Sequence, residues 1–190
     1  YAHRDDPETP QAEVAQGFAA LIADGLAREA GASNFTAERL TGALDAAQAE
    51  GVPGYGVLQN EYNLVERSAY EGAVQQVCVE HDVACLPFYG LAGGFLSGKY
   101  RSSADLAGKA RGSTVERYLE RGLPLLAVMD ELVAETGASH AQIALAWINA
   151  QPGIAAPIAS ATSVEQVREL CGATSLELTA AQLSRLSAAA

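Results

Sequence analysis

Apolar residues recur along this chain in two rhythms. Short continuous apolar runs bounded by glycine, proline or polar turns read as buried strands, and longer stretches with apolar residues every three to four positions read as helices. Residues 1–3, Tyr-Ala-His, read as the tail of a strand already under way, and Thr9-Pro10 then starts a helix to about 24, with Pro10 at its first position and Val14, Phe18, Leu21 and Ile22 as the stripe. Residues 26–32 make a strand candidate. Thr36 caps a helix to about 50, striped by Leu40, Leu44 and Ala47. A strand over 55–59 leads to a helix opening at Glu66 or Ser68 and running to about 82, then a strand over 83–89. The long helical pattern over 115–135 contains Pro124, which predicts an interruption near its middle. Ser139 with Gln142, Ser163 with Gln166 and Thr179 with Gln182 are capping-box pairs opening three further helices, and 154–159 is the last strand. Strands alternating with helices imply right-handed β-α-β units and a parallel sheet.

The chain has 190 residues, 49% of them hydrophobic, enough for one domain with a substantial core. Twelve basic against 23 acidic residues give a net charge of −11. A diffuse negative field repels nucleic acid and anionic membranes, so neither is expected as a partner, and any bound phosphate must be held by local groups. The three cysteines are odd in number and lack C-x-x-C spacing, and Cys78 and Cys85 lie in apolar runs, which predicts buried thiols, no disulfide framework and no metal site. No apolar run is long enough to span a bilayer, and no basic-then-apolar leader opens the chain. A cytoplasmic chain is expected.

The chemistry concentrates after the strand at 83–89. Gly90, Gly93 and Gly94 allow close backbone approach to a ligand, and Lys99 offers a point charge for an anion. The run from Gly93 to Lys99 has the G-x-x-x-x-G-K spacing of a nucleotide P-loop. Tyr100, however, stands where that motif needs a hydroxyl for magnesium. From the residues alone, an ordinary glycine-rich turn with a solvated lysine stays open beside an anion site. Histidine at position 3, Ser33, Asn34, Gln59, Phe88 and the stretch Ser160 to Ser163 also fall at predicted strand ends, where in parallel α/β folds site residues gather. Each has a plain structural alternative as a turn cap or core aromatic.

Together these stretches resemble the aldo-keto reductase family. CLPFYGLAGGFLSGKYR (85–101) is similar to the loop after that barrel's seventh strand. Gly31-Ala32-Ser33-Asn34-Phe35 resembles its GxSNF, Gln59-Asn60-Glu61-Tyr62-Asn63-Leu64 its QxxYNL, and 156–166 its last phosphate loop. The resemblance runs over essentially all 190 residues. It implies a parallel (β/α)8 TIM-type barrel of which residues 1–190 are the C-terminal portion, from the end of strand four to strand eight. It implies reduction of small aldehydes or ketones by hydride transfer from NADPH. His3, in His3-Arg4-Asp5-Asp6-Pro7, would orient the carbonyl oxygen; Ser33, Asn34 and Gln59 would hold the nicotinamide carboxamide, and Phe88 would stack on its ring. Leu91, Ala92 and Gly94 would meet the pyrophosphate with backbone, Lys99 and Arg111 would supply charge, and Thr162, Gln166 and Glu169 would line the adenosine side. Gln166 and Leu170 stand where some relatives carry a basic residue and an asparagine, which leaves NADH open beside NADPH. None of the seven tyrosines matches the family's proton donor, which with its lysine and aspartate belongs to the first strands. The chain is therefore expected to be impaired as a catalyst by itself, or to be a cofactor- or partner-binding half-barrel without turnover, with open edges that favour self-association.

Overall fold

Parallel pairing takes up only part of each apolar run, at the end of the first two and near the start of the third. In the computed structural model, which describes residues 1–109 and 111–190, β1 is Gly31–Ser33, β2 Val57–Gln59 and β3 Ala84–Cys85, paired in that order. Register sets Gly31 beside Val57, Ala32 beside Leu58, Ser33 beside Gln59, Val57 beside Ala84 and Leu58 beside Cys85. Single parallel bridges add Ala2 to Ala32 on one edge and Ile154 to Cys85 on the other.

The strands are short for identifiable reasons. Helix α1, Gln11–Ala23, ends in Gly25 at φ 72°, and the amide of Leu26 turns back to Leu21 O at 2.9 Å. That closure takes the start of the predicted strand at 26–32 into a helix terminus. In the 83–89 run, Leu86 N still reaches Leu58 O at 2.8 Å, but Pro87 has no amide to continue. Ala155 N bonds Cys85 O at 2.8 Å, after which Pro157 ends the prospect of a ladder, so 154–159 is a bridge and not a strand.

The helices follow their caps. Pro10 is itself the N-cap of α1, so the helix opens one residue later than expected, and the Thr9 hydroxyl donates to Asp6 Oδ2 instead at 2.8 Å. Helix α2, Ala37–Glu50, is capped by Thr36 and closed by Gly51 in the left-handed region. Helix α3 is only Ala73–Glu80, because Gly72 at φ 85° breaks the backbone before it. Helix α4, Gly112–Thr136, runs through Pro124 without interruption. A mid-helix proline costs about 3 kcal/mol, but Val115, Tyr118, Leu119, Leu125, Leu126, Met129 and Leu132 are all buried on both sides of it. At about 1.5–3 kcal/mol per large buried side chain, continuity wins. Helices α5 (His140–Asn149), α6 (Val164–Cys171) and α7 (Ala180–Ala189) open on Ser139, Ser163 and Thr179 as expected.

The chain divides into two compact units. The first holds residues 1–61, 68–87 and 152–155, with the sheet, α1, α2 and α3. Ala32, Leu58 and Cys85 point to its core and are fully buried, whereas Val57, Ala84, Leu86 and Ile154, from the alternate positions, are half-buried. The second holds residues 62–67, 88–151 and 156–190 and packs around Trp147, Tyr62, Tyr118, Phe95 and Met129. Its Phe95 ring occupies the space left by Gly122 of α4, where a Cβ would lie 2.4 Å away. Among the described residues no helix is long and apolar enough to cross a membrane.

Candidate functional site

In the first unit, four residues at successive strand ends form one hydrogen-bonded set. The Ser33 hydroxyl donates to the Gln59 carbonyl at 2.6 Å, across the pair that ends β1 and β2. Asn34 Nδ2 donates to His3 O at 2.9 Å and to Ser33 Oγ at 3.0 Å. Asn34 takes φ 60°, which short amide side chains tolerate and which turns its side chain back over the strand ends. Ser33 is buried, Gln59 half-buried, and His3 and Asn34 are exposed. The backbone explains the convergence: parallel strands in register bring residues far apart in sequence to one edge of the sheet. A separate apolar cavity of about 210 Å³ in this unit, among Val14, Phe18, Phe35, Ala43 and Tyr55, includes none of these four.

In the second unit, the residues after Pro87 build a tight loop. Tyr89, Ala92, Gly93, Gly94 and Gly98 all have positive φ. For Tyr89 and Ala92, at 56° and 49°, this costs on the order of 1–2 kcal/mol each. The loop is held down by Phe95 and Leu96, both fully buried. Ala92 N bonds Tyr89 O at 2.7 Å, Gly94 N bonds Leu91 O at 2.8 Å, and the Ser97 hydroxyl donates to Gly94 O at 2.7 Å. The amides of Ala92 and Gly94 are thus used inside the loop.

That loop forms one wall of a cleft of about 500 Å³. Phe88, Leu91, Gly94, Lys99, Arg111, Thr162, Gln166 and Glu169 all line it. Ala92 does not: it is fully buried behind the wall. Thr162 receives the Gln166 side chain, its amide donating to Oε1 at 2.7 Å and its hydroxyl at 3.1 Å, while Ser163 caps α6 through Gln166 N. Phe88 is half-buried and meets the Tyr89 ring edge-on at 5.3 Å. Lys99 Nζ lies 5.0 Å over the Tyr100 ring, within cation–π range.

The cleft reverses the charge of the chain. Lys99, Lys109 and Arg111 face a single acid, Glu169, so its lining carries 3 − 1 = +2 in a chain of −11. Lys109 was not foreseen, because the polar segment around it has no periodicity to place it. Ser97 and Ser160 are further lining hydroxyls. Ser97 has no signal in sequence beyond its place on the loop, whereas Ser160 falls at the end of the last predicted strand. Among the described residues no cluster of His, Cys, Asp and Glu is suited to a metal.

A family model described as the aldo/keto reductase family matches residues 1–190. The chain is 28% identical over 176 residues to L-glyceraldehyde 3-phosphate reductase of Escherichia coli strain K12, a match covering 89% of this chain and 51% of that protein. It is 30% identical over 179 residues to a probable voltage-gated potassium channel subunit beta of Arabidopsis thaliana, covering 89% of this chain and 53% of that one. The chain spans about half the length of the curated relatives it matches. A crystal structure of a thermostable aldo-keto reductase in complex with the inhibitor epalrestat matches with a TM-score of 0.77 at 23% identity, over 99% of this chain and 58% of that chain, a likeness of fold.

Proposed function

The chain belongs to the aldo/keto reductase family, and from that premise we propose that it serves the NAD(P)H-dependent reduction of aldehydes or ketones to alcohols, with the second unit's cleft as the dinucleotide site. The observation that carries this reading is the local excess of cations in an acidic chain. Lys99, Lys109 and Arg111 suit a pyrophosphate, the half-buried Phe88 suits a planar ring, and Thr162, Gln166 and Glu169 offer donors and acceptors to a nucleoside. The dinucleotide, when bound, supplies the hydride. In the first unit, taken by itself, Ser33, Asn34 and Gln59 are proposed to offer a carboxamide donors and acceptors, and His3 to offer a ring N–H to a carbonyl oxygen. Gln166 already caps Thr162 and brings no charge, so NADPH and NADH both remain candidates.

In the family's mechanism a tyrosine gives the proton, and its ordinary pKa near 10 is why it needs a lysine and an aspartate beside it. None of the seven tyrosines of these 190 residues stands in that motif. The chain is therefore proposed to bind cofactor while turning over poorly. A second reading, cofactor binding in a regulatory subunit without turnover, is favoured by the likeness to the potassium channel subunit beta. Fluorescence titration with NADPH and NADH, followed by a panel of aldehydes, separates these readings. Saturable binding supports both, turnover lost in His3→Ala selects the enzyme, and absence of saturable binding rejects the cleft.

A further inference from the structure

The turn that carries Lys99 is tied to two helices by side chains that do not line the cleft. Arg101 folds back across Lys99, its Nε donating to Gly98 O at 2.8 Å. Its Nη1 and Nη2 fork onto the two carboxylate oxygens of Asp130 on α4 at 3.0 and 2.7 Å. His140, the first residue of α5, lies with Nε2 2.7 Å from the same Asp130 Oδ1 and 3.3 Å from Arg101 Nη2. The imidazole fills the place of a side chain at Gly98, where a Cβ would come within 2.8 Å of the ring and where φ is 77°. Arg101, Asp130 and His140 are all absent from the cleft lining.

We infer that Arg101, anchored by Asp130, is a positioning residue that fixes Lys99 for an anionic phosphate group. The inference rests on reading the cleft as a dinucleotide site. A lysine on a flexible stem loses rotamer and backbone freedom when it grips a phosphate, and a turn already closed from 98 to 101 has lost part of it beforehand. The planar guanidinium fork suits this work, since one group bonds a carbonyl and a carboxylate at fixed angles. Its charge is also matched by Asp130, so Arg101 serves as a brace while Lys99 meets the ligand. Gly98 is required on two counts, its backbone conformation and the room it leaves for His140.

The test is a double-mutant cycle on the full 190-residue chain, read by titration calorimetry with NADPH and with inorganic pyrophosphate. Arg101→Gln and the near-isosteric Asp130→Asn are each expected to weaken binding about tenfold, the scale of one charge-assisted contact. In a Lys99→Ala background both should change affinity less than about twofold, because the residue they position is gone. A role in general stability would instead lower affinity equally in either background. If Lys99→Ala weakens binding and the Arg101→Gln loss adds to it in full, the positioning role is overturned while the dinucleotide site stands. If Lys99→Ala binds both probes as the unaltered chain does, or the unaltered chain binds neither, the site itself is rejected and the inference with it.

Discussion

Removing the Lys99 ammonium tests how a chain of −11 can hold a doubly charged pyrophosphate. Lys99 is exposed at the cleft rim and shares the lining with Lys109, Arg111 and Glu169. One unit charge 4 Å from another is worth about 1 kcal/mol in water and about 4 kcal/mol at the effective dielectric of a protein surface. An exposed donor falls between the two, and a charged hydrogen bond has a net value of about 1.5–3 kcal/mol. Lys99→Ala should therefore weaken NADPH binding by about 1–3 kcal/mol, or roughly 5- to 150-fold. The loss should shrink as salt rises past physiological strength, where the screening length is about 8 Å. Fluorescence titration at low and high salt reads both quantities, and Lys109→Ala serves as comparison. If only the general field mattered, the two variants would lose alike. An affinity within twofold of the unaltered chain would refute the reasoning.

Other consequences can be checked on the chain itself. Gly122→Ala would gain about 1 kcal/mol of helix propensity but drive a methyl into the Phe95 ring. Overpacking costs about 1–3 kcal/mol, so the urea midpoint should fall; a rise would show that the Phe95 loop yields freely. Burial pushes the Cys78 thiol up to about 11 and Cys85 up to about 12, while Cys171 is exposed. A thiol reagent at pH 8 should label one cysteine in the folded chain and all three after denaturation, and fast labelling of two would contradict this packing. Hydrogen bonds from the Arg101 guanidinium, and secondarily from His140, hold the Asp130 carboxyl below its usual range. A depressed folded pKa gives stability that is present above the unfolded value near 3.9 and lost as pH falls through the folded one. Asp130→Asn should accordingly flatten the acid limb of a stability profile below about pH 4, and an unchanged limb would show that the ion pair adds nothing.

Much of this organisation is readable from side-chain chemistry alone, and the failures have local causes. Ser139, Ser163 and Thr179 announced their helices because a cap is a contact between near neighbours. The strand ends could not be read that way. Leu26 is apolar, yet the left-handed Gly25 before it takes it into the closure of α1. Pro124 was expected to break α4, but a proline's local penalty is visible in sequence while the burial that outweighs it is tertiary. Within the site, Lys99 stood out because glycines flank it, whereas Lys109 lies in an aperiodic segment and joins the cleft only through folding. Ala92 shows the converse: its motif position suggested contact with a ligand, and packing turned it inward.

Receipt of the dinucleotide's pyrophosphate and adenosine by the second unit's cleft is what the proposed function rests on. Backbone amide NMR of the labelled chain during titration with NADPH tests it most directly. Saturable shifts should concentrate at Phe88 to Lys99, at Lys109 and Arg111, and at Ile158 to Leu170. Saturation with shifts confined to the apolar cavity around Phe18 and Tyr55, or no shifts at all, would contradict the account.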